Sequence, residues 1–357
     1  MSDEKPRYGE YAPPGWTPPE PPQPWPAPAS DAAPGLIPLR PLLLADVIVA
    51  AFRLMRRNPR PTLWLALAAG LVTSLVSTAL IGLVLWSTLP TLAPATVPDP
   101  ATVRGIVVPI LLIAVAAALV QIAVVVIPQS VVTLEVARAS LGERLTLREL
   151  WSRARGRVGA LLGWMLVLGG GTAIVSIAIV LALVELALTG SVGGLLAAVG
   201  LGLLALCGIV VIAFWLGTKL AFVPALIVVE RLPIGAALRR SWTMTRGGFW
   251  RILGIILLVN LIVQAGAQIV MMPVTLLSGL IDPTQSAGGL DPRTVVVLVV
   301  SLLVQVVVMA VSIVVQAAVP AILYLDARMR REGFDTVLRA YASEASAGRT
   351  PSSDPFG

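Results

Sequence analysis

Three groups of residues have types and spacings that suit chemistry, and all of them lie in or beside long apolar runs. The first is a set of amides. Asn260, Gln264 and Gln268 recur at i, i+4 and i+8, while Gln305 and Gln316, with Ser301 and Ser312, follow roughly heptad spacing. Gln121 stands in an earlier run, and Thr73, Ser74, Ser77 and Thr78 cluster in the first. Amides in apolar surroundings either hydrogen-bond between helices or line a polar path for a solute. The second group holds isolated charges. Glu185, in "LALVELAL", either reaches the interface or serves as a protonatable coupling group. Lys219, in "FWLGTKLAF", is expected to extend its ammonium to the headgroups, with no serine near it on a helix to act as nucleophile.

The third group repeats. Pro128, Pro224 and Pro320 stand 96 residues apart and begin similar strings, "IPQSVVTLEVAR", "VPALIVVERLPI" and "VPAILYLDARMR". Each string contains an acid, Glu135, Glu230 or Asp326, with Arg138, Arg231 or Arg328 close behind. A proline inside a helix removes a backbone hydrogen bond and kinks the rod. Three kinks at one membrane depth would bring the acids and arginines together at one boundary, within or between units. The alternative is that each acid caps a helix end in water. The first string is one residue out of register, so a shared helix face is not expected.

Much other chemistry is excluded. The chain has no histidine, which removes His-based acid/base catalysis, Ser-His and Cys-His dyads and His-ligated metals. Its one cysteine, Cys207, lies in an apolar run and forms neither an internal disulfide nor a metal site. No phosphate-loop, dinucleotide or metal-ligand spacing occurs. No catalytic residue, metal or cofactor is expected, and the chain reads as a non-enzyme.

The elements that position these residues follow from composition. Of the 357 residues 57% are hydrophobic and only 13% charged, with a mean hydropathy of +0.90. Six apolar runs, near 63–87, 106–134, 159–188, 193–229, 250–280 and 294–325, each exceed the roughly 20 residues that cross a bilayer as a helix. Arginine and lysine sort by side: 24 of the 26 fall before, between or after the spans on one face, and only Arg104 and Arg293 on the other. The positive-inside rule then predicts a multi-pass protein of the cytoplasmic (inner) cell membrane with both termini cytoplasmic. It also accounts for the net charge of +7 without a nucleic-acid partner. The expected partners are anionic headgroups on the cytoplasmic side and, through the tail, a protein. Residues 1–35 hold eleven prolines and no apolar h-region, so a disordered proline-rich cytoplasmic tail is expected and a signal peptide is not.

Each odd-numbered span is preceded by a basic amphipathic stretch. "PLLLADVIVAAFRLMRRNP" carries Leu44, Ile48, Phe52 and Met55 at helical spacing; "TLRELWSRARGRV" has a Thr146–Glu149 capping box; "PIGAALRRSWTMTRGGFW" leads through Gly247-Gly248 into the fifth span. The spacing predicts an all-α polytopic fold, six transmembrane helices as three hairpins, each hairpin preceded by an interfacial helix. The membrane domain should cover 36–338, with repeat units of about 36–138, 139–231 and 232–331, followed by a disordered cytoplasmic tail over 339–357.

"ALIVVERLPIGAALRRSWTMTRGGFWRILGIILL" and "LYLDARMRREGFD" resemble the bacterial glycerophosphoryl diester phosphodiesterase membrane domain family, and "PGLIPLRPLLLADVIVAAFRLMRRNPR" is similar to the start of its actinobacterial branch. The resemblance covers about 35–338. It implies a membrane module joined to, or named after, a phosphodiesterase domain whose histidines and carboxylates are absent here. The leading functional expectation is a scaffold or assembly partner. The alternative is a transporter of a lipid-like or small amphiphilic solute, and the last a module associated with glycerophosphodiester phosphodiesterase activity.

Overall fold

The computed structural model describes residues 36–37, 42–92, 100–279, 292–346 and 354–356. Helix α1 (Leu44–Arg57) is short; a π-helical segment, Arg60–Trp64, then leads into α2 (Leu65–Leu92). Helices α3 (Pro100–Ser140), α4 (Leu147–Ala187) and α5 (Val192–Lys219) follow, then the short α6 (Val223–Val228) and α7 (Ile234–Thr245). Helices α8 (Phe249–Gly279), α9 (Pro292–Glu332) and α10 (Phe334–Ser346) complete the chain. Six of these segments are long and apolar enough to cross a bilayer, and no strand occurs among the described residues. The protein is an all-α, multi-pass membrane protein.

The long helices pair as α2/α3, α4/α5 and α8/α9. The pairs join into a ring through α3 against α4 and α9 against α2, and α3 also meets α9. The closing seam, α5 against α8, is much the least extensive. The core is confined to the end where the arginines gather. Toward the other end α5 and the middle of α4 expose Val175, Val180, Leu195, Leu203 and Leu204, as lipid-facing helices do.

Local chemistry explains where helices break and where they continue. Asn58-Pro59 ends α1, and Gly247-Gly248 separates α7 from α8. The second amphipathic stretch was expected to be a separate helix, but it forms the first turns of α4. No proline interrupts it, and the Thr146–Glu149 capping box begins a continuous helix of 41 residues. Helix α1 also departs from expectation, because its apolar face packs on α9 instead of lying on lipid. The buried stripe is Val47, Ala50, Ala51 and Leu54, and Phe52 is exposed. Two small alanines let the backbones approach, while Leu44, Ile48 and Met55 of the expected stripe pack against the core from its flank. The tail expected from 339 is helical as far as Ser346. The proline-rich segment 1–35 lies outside the described residues.

Candidate functional site: three acids at the basic end

The three proline–acid strings form the centre of the core. Ser130–Ala137, the whole of Val223–Val229 apart from Pro224, and Ala321–Ala327 are all buried, each string from a different unit. Such strings are apolar on every side, so they need neighbours all round and supply them to one another. The prolines act differently. Pro128 and Pro320 lie inside continuous helices. Pro224 was expected to kink its helix; within the apolar stretch Val192–Val228, α5 ends at Lys219, a three-residue turn follows, and Pro224 opens α6. Proline lacks a donor and suits a first turn, so the break places α6 as a buried plug against α3, α4 and α9.

Asp326 is 1% exposed and fully engaged. Its Oδ1 accepts the Leu42 backbone N–H at 2.8 Å, and its Oδ2 accepts from Arg251 Nη1 at 2.6 Å. Arg330, one helical turn on, donates from Nε to both oxygens at 3.0 Å. Both arginines also donate to the Leu42 carbonyl, at 2.6 and 3.2 Å. One carboxylate and two guanidinium groups thus grip the peptide unit that leads into α1. Pairing this complete offsets the cost of taking the Asp326 charge out of water.

Glu230 sits in a second cluster. It accepts the Tyr324 hydroxyl, pairs with Arg240 at 3.0 Å and lies 3.7 Å from Arg328. Arg240 and Arg328 both reach Glu332, at 3.1 and 3.0 Å. Arg328 also covers the Phe334 ring at 3.9 Å, which holds the start of α10. Arg231, expected beside an acid, makes no ion pair among the described residues. Its backbone is left-handed (φ 55°), and this turn sends the side chain to the surface.

Among the described residues, Glu135 has no cation within salt-bridge distance. It accepts from Asn58 Nδ2 at 3.0 Å, its other oxygen has no hydrogen-bond partner among those residues, and it is wholly buried. Asn58 also donates to the Leu145 carbonyl, and Arg57 donates to the Gly142 carbonyl at 2.6 Å. Burial pushes the Arg57 guanidinium below its usual range; Arg144 adds to this and Glu135 opposes it. Arg138 pairs with Asp354 at 2.5 Å and Glu143 at 3.8 Å, away from Glu135. Tyr341 donates to Glu143 at 2.7 Å, and Phe356 packs against Phe334. Burial pulls the Asp354 carboxyl up, but the Arg138 and Phe356 N–H hydrogen bonds outweigh it and hold the group below its ordinary value. Burial and the Glu143 hydrogen bond push the Tyr341 hydroxyl up to about 12.

The intramembrane amides scatter. Asn260 donates to the Ile256 carbonyl on its own helix, and Gln121 to Ser77 on α2 at 3.3 Å. Asn260 and Gln316 line a cavity of about 220 Å³ at the α5/α8 seam, with Gly217, Thr218 and Pro320. Pro320 leaves the Gln316 carbonyl without its helical donor there. Gln305 is half-buried, while Gln264 and Gln268 are exposed. Glu185 lies away from all of these, paired with Arg104 at 2.5 Å where α3 and α4 meet at the other end.

The chain matches, over residues 88–326, a family described as a domain of unknown function, DUF7847. The protein belongs to the DUF7847 family. No curated protein and no solved structure matches it. The DUF7847 match ends on Asp326 and contains all three acids, whereas Leu42, Asn58, Arg330 and Glu332, which complete their pairing, lie outside it. No cluster of His, Cys, Asp or Glu suited to a metal occurs among the described residues. The protein is a helical membrane protein without an evident catalytic or metal-binding constellation.

Sequence reasoning missed Arg251, Arg330, Arg240, Tyr324, Asn58 and Asp354. Arg330 had a signal, its i+4 spacing from Asp326. Tyr324 had one too, since it stands four residues before Arg328, which donates to its hydroxyl; the others lie at least ten residues from the acid or arginine they meet.

Proposed function

We propose that this DUF7847 protein is a non-catalytic assembly module of the cytoplasmic membrane, with both termini inside. The observation that supports it is a division of labour among the arginines. Arg240, Arg251, Arg328 and Arg330 lock the acids of the basic end. Arg53, Arg56, Arg60, Arg148, Arg153, Arg155, Arg231, Arg239 and Arg246 remain exposed around it, without an ion pair among the described residues. A rigid base ringed by free guanidinium groups suits anionic headgroups and an acidic partner surface. The proline-rich sequence of residues 1–35 is of the kind that proline-recognising domains bind.

A second reading is transport of an amphiphile, favoured by the cavity at the loose α5/α8 seam, whose largely apolar wall carries Thr218, Asn260 and Gln316. Photo-cross-linking residues placed at Arg153 and Arg239 in living cells distinguish the two. A protein adduct of discrete mass, lost on deletion of 1–35, supports assembly. Lipid adducts alone, together with amphiphile flux in liposomes abolished by Gln316→Leu, overturn it in favour of transport.

A further inference from the structure

Helix α8 carries, midway along its span, two glutamines without partners among the described residues. The helix runs Phe249–Gly279, and Gln264 stands 15 residues from either end, about 22 Å of helix in each direction. Gln268 follows one turn on. Both side chains are exposed, and neither makes a hydrogen bond among the described residues. Each amide has two donors and a carbonyl acceptor to satisfy. Hydrocarbon satisfies none of them, and leaving them unpaired in an apolar medium is costly.

The depth of these amides selects the occupant. A lipid headgroup stays at the interface, far from the midpoint of α8, and an acyl chain offers no hydrogen bond. A transmembrane partner with an amide at the same depth fits, and glutamine is its own complement, since each NH₂ can donate to the other's carbonyl. A twofold contact between identical chains places the same residues opposite each other. The surrounding face permits it. Leu261, Ala265 and Met272 are exposed beside the glutamines on the same side of the helix. Ala265 is small enough there to let two backbones approach closely enough for the amides to meet.

We infer that a second copy of this chain docks on the outer face of α8, with Gln264 and Gln268 pairing with their counterparts across a twofold axis. This deepens the assembly reading by naming one partner, and it uses none of the exposed arginines of the basic end.

The test uses the full chain in native membranes, in a Cys207→Ser background. Single cysteines replace Leu261, Ala265 or Met272 on α8, with Leu203 on α5 and Val299 on α9 as controls. Oxidation should trap dimers at the α8 positions, strongest at Ala265, and not at the controls. The double change Gln264→Leu, Gln268→Leu should raise the dimer dissociation constant about tenfold or more. It should leave the melting temperature of the detergent-solubilised monomer unchanged, because neither side chain is paired among the described residues. Gln→Asn at both positions should retain most of the association. Absence of α8 cross-links, equal trapping at the controls, or a dimer indifferent to the leucine changes overturns the inference. Replacing Arg153 and Arg239 with Gln should leave the dimer intact even where the basic-end adduct is lost, so the two readings fail separately.

Discussion

Asp326 accepts the backbone N–H of Leu42, a residue 284 positions earlier, and so fastens the entry of α1 to the last span. The other end of α1 is fastened in turn by Glu135, which accepts from Asn58. An amphipathic helix that could have lain loosely on the membrane is thus fixed at both ends by buried acids from two different repeats.

The grip on Leu42 should therefore fail when the carboxylate is removed. Asp326→Ala leaves Arg251, Arg330 and a buried N–H without their acceptor. Breaking a buried pair costs about 3–5 kcal/mol, and with both arginines more than a third exposed the lower end of that range applies. The expected result is a lower melting temperature, with new trypsin cleavage at Arg53 and Arg56. Asp326→Asn keeps the acceptor for Leu42 and should lose less. Equal trypsin resistance in all three proteins would show that α1 is held by its packing on α9 alone.

Glu230 calls for a different experiment, because its partners are now identified. Glu230→Arg places a third guanidinium between Arg240 and Arg328 and should destabilise the junction of the second and third repeats. Adding Arg240→Glu restores an opposite pair and should recover part of the lost thermal stability. Arg231→Glu, on a side chain pointing into solvent, should recover none. Rescue by Arg231→Glu and not by Arg240→Glu would contradict the observed pairing.

The C-terminal dock should depend on pH at both extremes. The depressed Asp354 contributes stability fully above the ordinary aspartate value, about 3.9, and loses it as pH falls through its lower folded value. The raised Tyr341 contributes fully below about 10, the ordinary tyrosine value, and loses its contribution as pH rises through about 12. Protection of the α10 amides against hydrogen exchange, corrected for the intrinsic rate, should stay flat across the neutral range. Asp354→Asn should abolish the acid limb and Tyr341→Phe the alkaline limb. A transition near neutral pH would mean that other groups hold the dock.

How much of this was legible in the sequence differed by kind of interaction. The spans were, because twenty or more apolar residues have few other uses. The strings at Pro128, Pro224 and Pro320 were visible as a repeat, and they proved to be the core. What they do was not legible. The acceptor role of Asp326 rests on a backbone N–H at Leu42, and a backbone group leaves no mark in the residue type. Pro224 shows the same limit: the spacing equated it with Pro128 and Pro320, but whether a proline bends or ends a helix depends on what the freed chain can bury. The stripe of Asn260, Gln264 and Gln268 was legible as a stripe. Its direction was not, since the neighbours of α8 decide which flank is covered.

Orientation supplies the last prediction. The two ends of the bundle differ in more than charge count. One end holds the three acids, their arginines and the exposed guanidinium groups, whereas the other holds the solvent-exposed Arg104–Glu185 pair at the junction of α3 and α4. That end carries only Arg104 and Arg293 of the 26 Lys and Arg residues, so the basic end should be retained inside. Reporter fusions at Gly142, Leu232 and Ala347 should read cytoplasmic, and those at Ala95 and Ala287 extracytoplasmic. Changing Arg148, Arg153, Arg155 and Arg157 to Gln should weaken or invert insertion of the α4/α5 hairpin, each basic residue near an anionic surface contributing about 1 kcal/mol. Because α4 is one continuous helix, inversion would carry its first turns across with the span and tear α6 from the core. The expected outcome is therefore a mixture of correctly inserted and degraded protein, with no stable inverted form. A stable inverted hairpin, or a cytoplasmic reading at Ala95, would contradict both the orientation and the role of α6 as the plug that holds the repeats together.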